Sequence, residues 1–306
     1  MMNENVKDTK IRNISLLVFS MMLWGLTFPL IKLSLEEIGP ITLGLLRSLF
    51  GAIPLFIYVL YQKGLKKITV ITKNYYLLFI AIGLTQFYLP LAAQNTGMSM
   101  MEPETAASLS SILQASYPVF AIVMSVVFLK EYIGKKKALG TAIALTGTIL
   151  LVTQGGLDIS NAALLGNLLL LTSSVCYAIS SVITKRSLVK HEPLTLMTMA
   201  LVFSSLVFLP TSFALEPVSR IANISLMTWL MIIYLGLIGN GFALLLWYIV
   251  LVKTQLSKQV LFTYLIPLFG NIFSHLILGE TISLISFLFG MLIVTGVAIV
   301  QYERKT

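Results

Sequence analysis

Residues 104–154 read ETAASLSSILQASYPVFAIVMSVVFLKEYIGKKKALGTAIALTGTILLVTQ, and their pattern occurs twice in the chain. An apolar run with Pro118 ends at Glu131, a basic turn follows, and a second apolar run carries Thr146 and Gly147. At an offset of 149 residues the identical pairs are Pro118 with Pro267, Phe120 with Phe269, Ser125 with Ser274, Leu129 with Leu278, Glu131 with Glu280, Leu139 with Leu288, Thr146 with Thr295 and Gly147 with Gly296. A proline, a lone acid and a Thr-Gly pair in one register predict an internal duplication.

The composition is typical of a membrane protein. Of the 306 residues 57% are hydrophobic and 11% are charged, whereas a soluble domain has about 25% charged residues. Apolar runs of about 20 residues, long enough to cross the ~30 Å hydrocarbon core, cover 14–34, 41–61, 75–97, 105–129, 138–154, 162–184, 194–214, 226–250, 259–278 and 283–301. Because the runs are continuous rather than alternating, we predict an all-α polytopic membrane protein with ten transmembrane helices.

The basic residues predict the orientation of these helices. With the amino terminus in the cytoplasm, only Arg220 lies in an outer loop, and only Lys32 and Arg47 lie within helices, so 18 of the 21 basic residues are on the cytoplasmic side. This bias follows the positive-inside rule and places both termini in the cytoplasm, with the protein in the cell membrane. The net charge of +9 then predicts contact with anionic lipid on that side and no nucleic-acid partner.

The duplicated unit contains five helices, which is an odd number. The second copy therefore enters the membrane from the opposite side, and an inverted repeat of this kind is typical of transporters. Trp24, Gly25 and Lys32 correspond more loosely to Tyr177, Ala178 and Lys185. The predicted organisation is 1–13 cytoplasmic segment, 14–154 first repeat, 155–161 outer linker, 162–302 second repeat and 303–306 cytoplasmic tail.

Several motifs resemble a known family. They are an early WGLTFP at 24–29, Arg47 in the second helix, and twice a proline followed after twelve residues by a glutamate. Nearly the whole chain resembles the drug/metabolite transporter superfamily, in particular its EamA-type members. The resemblance implies a small-molecule permease, often an exporter of amino acids or other metabolites, with a central cavity between the halves. The second copy has Tyr177 where a tryptophan is common.

Prolines within the helices indicate where a cavity forms. Each proline leaves the carbonyl four residues earlier unpaired, and such groups in a membrane must find partners in the protein or line a wet cavity. Amide and aromatic side chains cluster near these points. The candidate substrate-binding residues are Trp24, Gln86, Tyr88, Asn95, Gln114, Tyr117, Tyr177, Asn240, Trp247, Tyr264, Asn271 and His275. The alternative is that the amides only join helices through hydrogen bonds.

A second group is assigned to structure or gating. Its members are Arg47, Pro118, Glu131, Pro267 and Glu280. Arg47 is expected to pair with Glu36, Glu37 or backbone carbonyls, or else to contact a substrate carboxylate. Glu131 and Glu280 lie at helix ends, where each is expected to cap the helix that follows it.

We predict an alternating-access transporter, more specifically an exporter of uncharged or zwitterionic amino-acid-like solutes. Helices one and six contain no acid, which argues against a two-proton carboxylate antiporter and leaves exchange or facilitated diffusion open. A channel or non-transporting sensor is one alternative, and a lipid-modifying enzyme is another. The enzyme would need an acid–base or metal cluster, and the chain has only His191 and His275. No catalytic residue, metal or cofactor is predicted, and small residues in helices five and ten suit a monomer or a homodimer.

Overall fold

A computed structural model of the protein describes residues 2–101, 106–153, 161–279, 288–289, 291–292, 295–296 and 298–299. The regular structure of these residues is helical. The helices are α1 Met2–Ser34, α2 Pro40–Lys63, α3 Leu65–Ser99, α4 in two parts Ala106–Gln114 and Tyr117–Leu129, α5 Lys135–Thr153, α6 Asn161–Ser187, α7 Pro193–Leu215, α8 Leu226–Lys253 and α9 Leu256–Leu278. Glu280, the predicted linker except its last residue, the tail 303–306 and most of the run 283–301 lie outside the described residues.

Seven of these helices are long and apolar enough to cross a membrane. They are α1 from Thr9, α2, α3, α6 from Leu164, α7, α8 and α9, and the second part of α4 is a shorter apolar helix. The protein is therefore a polytopic helical membrane protein. The polar residues 2–13, expected as a separate segment, continue α1 as helix, since no proline or glycine interrupts them.

The third and eighth helices share an irregularity. In α3 the segment Gly83–Tyr88 is π-helical, and in α8 the segment Tyr234–Ala243 is π-helical as well. Wide π-helical turns are rare and frequently lie at functional sites. Both segments contribute residues to the central cavity described below.

Glycines allow these two π-helical segments to approach neighbouring backbones. A Cβ added at Gly83 would lie 2.7 Å from the carbonyl oxygen of Ala200 on α7, and one added at Gly236 would lie 2.8 Å from the carbonyl oxygen of Arg47 on α2. Both pairs are related by 153 residues, from 83 to 236 and from 47 to 200. The contacts of α3 with α7 and of α8 with α2 therefore repeat the same arrangement.

The second and seventh helices run antiparallel and are joined at both ends. The carboxylate of Glu216, at the end of α7, accepts hydrogen bonds from the backbone N–H groups of Ile41 and Thr42 at the start of α2, both at 2.8 Å. At the opposite end Lys63 of α2 forms an ion pair of 2.5 Å with Glu192, which precedes α7. This hydrogen bond to Lys63 lowers the pKa of Glu192 below its ordinary value.

A second carboxylate joins helices from the two predicted halves. The oxygens of Glu131 accept hydrogen bonds from the backbone N–H groups of Leu256 and Ser257, both at 2.8 Å. Glu131 thus caps the amino terminus of α9, rather than that of α5 as expected from the sequence. The connection between α4 and α5 lies beside the start of α9, and the first-turn N–H groups of α9 lack intrahelical acceptors.

Basic side chains strengthen this end of the bundle. Lys137 is only 2% exposed, and its ammonium donates to Ser257 Oγ at 2.9 Å and to Gln255 Oε1 at 3.2 Å. Lys185 of α6 donates to the carbonyl oxygens of Leu251 and Thr254, both at 2.6 Å, where α8 ends. We call this group of contacts, formed by Glu131, Lys137 and Lys185 with the connection between α8 and α9, the amino-terminal-face cluster.

Small residues join the fifth helix to the described part of the tenth run. A Cβ added at Gly296 would lie 2.6 Å from both the backbone nitrogen of Ala144 and the carbonyl oxygen of Gly140. Close approach of this kind is common between membrane helices that carry small residues. The small-residue faces of α5 and of the tenth run therefore pack against each other within one chain.

Replacing Glu131 by alanine removes the acceptor of two backbone N–H groups at the start of α9. Because loss of an N-cap costs about 0.5–2 kcal/mol, we expect the free energy of unfolding to fall by about 1–2 kcal/mol. Thermal and denaturant unfolding of the purified protein measure this. The control is Glu36→Ala, which removes an exposed pair with Lys32 and should change stability by less than about 0.5 kcal/mol. Equal effects of the two variants would contradict the capping role.

Replacing Gly236 by alanine places a Cβ 2.6 Å from Phe50 Cβ. Overpacking of a close contact costs about 1–3 kcal/mol, and we expect a loss of stability in that range. Gly241→Ala is the matched control in the same segment, because its added Cβ would have its nearest contact at 3.5 Å. If Gly241→Ala destabilises the protein as much, the close approach of α8 to α2 is not the cause.

Candidate functional site

A cavity of about 110 Å³ lies in the centre of the helix bundle. Seven helices form it, namely α1, α2, α3, α4, α6, α8 and α9. Its lining residues are Trp24, Thr27, Phe28, Arg47, Gln86, Phe87, Gln94, Ser111, Gln114, Ala115, Tyr117, Tyr177, Ser181, Gly239, Asn240, Leu244, Trp247, Thr263 and Ile266. Ten of these nineteen residues are apolar or aromatic and nine are polar. Small-molecule sites combine apolar surface with convergent polar groups in this way.

Two tryptophans form one wall of the cavity. The rings of Trp24 and Trp247 lie 5.6 Å apart at an angle of 52°. The indole N–H of Trp24 donates to the carbonyl oxygen of Gly239 at 3.0 Å, within the π-helical segment of α8. This hydrogen bond satisfies a backbone carbonyl at membrane depth and fixes the orientation of Trp24. The pair offers aromatic surface to an organic solute or a cation.

Two tyrosines continue the aromatic lining. The rings of Tyr117 and Tyr177 lie edge to face with centroids 6.4 Å apart. The hydroxyl of Tyr117 shares a 2.8 Å hydrogen bond with that of Ser181, which also donates to the carbonyl oxygen of Tyr177. The phenol of Tyr117 is therefore held in place by α6, and α4 and α6 are joined at the cavity.

Amide groups in the lining have bonding capacity left over. Gln114 donates through Nε2 to Ser173 Oγ at 3.4 Å, while its buried Oε1 has no partner among the described residues. The buried Nδ2 of Asn240 likewise has no partner in the described part of the chain. Unpaired buried polar atoms are costly, and both residues line the cavity.

Arg47 is the one described basic residue in the cavity lining. Its side chain is 3% exposed, Nη1 donates to Asn95 Oδ1 at 3.3 Å, and Nε has no partner among the described residues. The acids considered from the sequence have other partners: Glu36 pairs with Lys32 at 3.4 Å, and Glu37 accepts from the backbone N–H of Ser225 at 2.7 Å. That backbone bond lowers the pKa of Glu37 below its ordinary value.

Seven of the twelve candidate substrate-binding residues line the cavity together: Trp24, Gln86, Gln114, Tyr117, Tyr177, Asn240 and Trp247. The other five do not. Tyr88 packs edge to face against Phe208 at 4.7 Å, and Asn95 holds Arg47 and donates to the carbonyl oxygen of Pro40 at 2.9 Å.

The remaining three candidates are on α9. Tyr264 is fully buried in the core, Asn271 donates to the carbonyl oxygen of Pro267 in its own helix at 2.8 Å, and His275 is exposed on the surface. Thr263 and Ile266 occupy the cavity face of α9 instead. Since successive helical residues differ by about 100° in direction, neighbours of a lining residue point elsewhere.

Among the lining residues that the sequence assignment missed are Thr27, Ser111 and Ser181. They lie three residues after Trp24, three before Gln114 and four after Tyr177. Residues three and four apart share a helix face, so their spacing from Trp24, Gln114 and Tyr177 could have identified them as lining residues. The small hydroxyl side chains carried no functional pattern of their own.

The EamA-like transporter family matches this chain twice, over residues 11–153 and 164–302. The protein belongs to this family. The predicted recognition is confirmed. Family members are named transporters, which also confirms that the protein is not an enzyme.

Relatives from bacteria cover the EamA-like chain over most of its length. An uncharacterized transporter of Bacillus subtilis is 26% identical over 90% of this chain and 92% of its own. Probable amino-acid metabolite efflux pumps of Salmonella typhimurium and Escherichia coli are 26% and 25% identical, over 91% of each chain. A solved crystal structure with 18% identity superposes with a TM-score of 0.76, covering 95% of this chain and 98% of that one, and has the same fold.

The cavity separates the polar candidate residues into two groups that can be tested, those that line it and those that do not. Gln114→Ala and Asn240→Ala each remove a group that faces the cavity, and we expect solute affinity to fall about 3–10-fold, as for a lost hydrogen bond of about 0.5–1.5 kcal/mol. Asn271→Ala and His275→Ala change residues away from it and should leave affinity unchanged. Thermal-shift titration with amino acids and their derivatives measures this. Loss of affinity in the second pair alone would move the site along α9.

Proposed function

We propose that this EamA-like protein is an alternating-access exporter of small organic metabolites, amino acids or amino-acid-like solutes, in the cell membrane. The observation that carries the proposal is the central cavity between helices of both family units. It is lined by α1, α2, α3 and α4 from the first unit and by α6, α8 and α9 from the second. Two relatives named amino-acid metabolite efflux pumps support the substrate class and the direction.

An inverted pair of five-helix repeats is the architecture that we propose. The contacts of Gly83 with Ala200 and of Gly236 with Arg47 recur at an offset of 153 residues, whereas the later pairs such as Pro118 with Pro267 recur at 149. The offset therefore changes by four residues between Gly83 and Pro118. An odd number of helices per unit inverts the second copy, which supports alternating access around a central site.

Polar contacts between the units lie at both ends of the bundle. In the amino-terminal-face cluster, Glu131 and Lys137 of the first unit bind the connection between α8 and α9 and the start of α9. At the opposite face Glu216 and Glu37 join α7 and α8 to the first unit. Rocking of one unit against the other exposes a central site to one face at a time when the contacts of that face separate. The distribution of basic residues supports a cytoplasmic amino-terminal face.

The cavity chemistry supports a solute with both an apolar and a polar part. Trp24 and Trp247 provide a flat apolar wall, while Gln114 and Asn240 present unpaired amide atoms. An amino acid with a large side chain satisfies both requirements. The limited volume of about 110 Å³ favours small solutes over peptides.

Transport by purified protein in sealed liposomes tests this function. Liposomes preloaded with an unlabelled amino acid should accumulate the labelled form, because an exchanging carrier shows trans-stimulation and saturation. A panel of amino acids, amines and nucleosides, with and without a pH gradient, identifies the substrate and any proton coupling.

The control for this measurement is a variant that fills the cavity. Gly239→Leu places a large side chain beside Thr27 and should abolish flux. Ohmic currents without saturation would indicate a channel and overturn the carrier mechanism. The absence of flux and of binding across the panel would overturn the transporter proposal.

A further inference from the structure

Arg47 is a guanidinium held in the cavity with unused hydrogen-bonding capacity. A guanidinium carries five N–H donors, yet among the described residues Arg47 has a single acceptor, Asn95 Oδ1 at 3.3 Å. Its buried Nε has no partner in the described part of the chain. Burial of a cation without a counter-charge is expensive in a protein interior, so the bound state of the protein is expected to supply an acceptor.

The packing that the two units share does not require a charged residue at the position of Arg47. The residue at the same place in the second unit, 153 positions later, is Ala200, which is fully buried. The backbone carbonyls of Arg47 and Ala200 make matching close contacts with Gly236 and Gly83. The helix packing is therefore compatible with a methyl group at this position, and the guanidinium is an addition to one half only.

A second unpaired donor lies on α8, the helix that packs against α2 beside Arg47. Asn240 follows Gly236 by one turn of α8, and Gly51 follows Arg47 by about one turn of α2. A Cβ added at Gly51 would lie 3.6 Å from Asn240 Cβ, so the two turns are in contact. The buried Nδ2 of Asn240 has no partner among the described residues, and Asn240 and Arg47 both line the cavity.

We propose that Arg47, assisted by Asn240, binds the carboxylate of the transported solute, and that the solute is an organic carboxylate whose apolar or aromatic body lies against Trp24 and Trp247. This inference rests on the proposed transport function. Arginine and carboxylate form paired, charge-assisted hydrogen bonds. The described cavity lining contains no acid to bind an ammonium group, so the carboxylate is required for binding and the amino group is dispensable.

A series of ligands that share one phenyl ring tests the inference on the unmodified protein. L-Phenylalanine, N-acetyl-L-phenylalanine and 3-phenylpropionate carry the carboxylate, whereas phenylalaninamide and phenethylamine lack it. In proteoliposomes and in thermal-shift titrations the three carboxylates should bind or compete, and the amide and the amine should be at least tenfold weaker.

Variants assign the preference to the residue. Arg47→Gln should reduce affinity for the carboxylates at least tenfold while leaving the weak binding of the amide unchanged. Arg47→Lys keeps the charge without the paired geometry. Its affinity for the carboxylates should lie between that of the unmodified protein and that of Arg47→Gln. Lys32→Gln is the control, because Lys32 pairs with Glu36 outside the cavity lining and its loss should not change the order of ligands.

The outcomes separate this inference from the transport function. If the amide and the amine are carried as well as the carboxylates, or if Arg47→Gln keeps the carboxylate preference, the Arg47 site is wrong although transport stands. If no solute of the broad panel is bound or moved, the transport proposal fails, and the carboxylate site fails with it. The ligand series needs no variant, so a folding defect of Arg47→Gln does not decide the result.

Discussion

Backbone hydrogen bonding in the absence of water is the constraint on which this structure depends. An unpaired N–H or C=O group in hydrocarbon costs several kcal/mol, so each place where helical bonding is interrupted needs a partner from elsewhere in the chain. Glu131 and Glu216 accept the N–H groups at the starts of α9 and α2. Trp24 donates to the carbonyl oxygen of Gly239 within a π-helical segment. The irregular backbone is therefore concentrated at helix ends and around the cavity.

The two family units pack alike but line the cavity with different chemistry. Gly83 and Gly236 make equivalent backbone contacts, and the first, third and fourth helices of each unit reach the cavity. The side chains diverge, since the guanidinium of Arg47 and three of the four lining amides, Gln86, Gln94 and Gln114, come from the first unit, whereas the second contributes one amide, Asn240. The lining of the cavity is therefore not symmetric between the two units.

Much of the fold could be predicted from the sequence, because apolar length and the placement of basic residues depend on local composition. The helices, the duplication and seven of the candidate lining residues follow from such patterns. Partners across the bundle could not be predicted, because they depend on which loops meet in space. Glu131 caps α9 rather than α5, and Asn271 bonds within its own helix rather than facing the cavity. The partner of Arg47 could not be predicted either, because the sequence does not show that Glu36 and Glu37 bind Lys32 and Ser225 instead.

The contact between Glu131 and the start of α9 also bears on how the chain matures in the membrane. A protein is synthesised from its amino terminus, and early segments wait for later ones. Glu131 is synthesised and inserted long before Leu256 and Ser257. Its carboxylate and the nearby Lys137 must therefore remain hydrated at the membrane surface until α9 inserts. The first unit by itself is then an unfinished intermediate, and the separate units are poor candidates for independent expression.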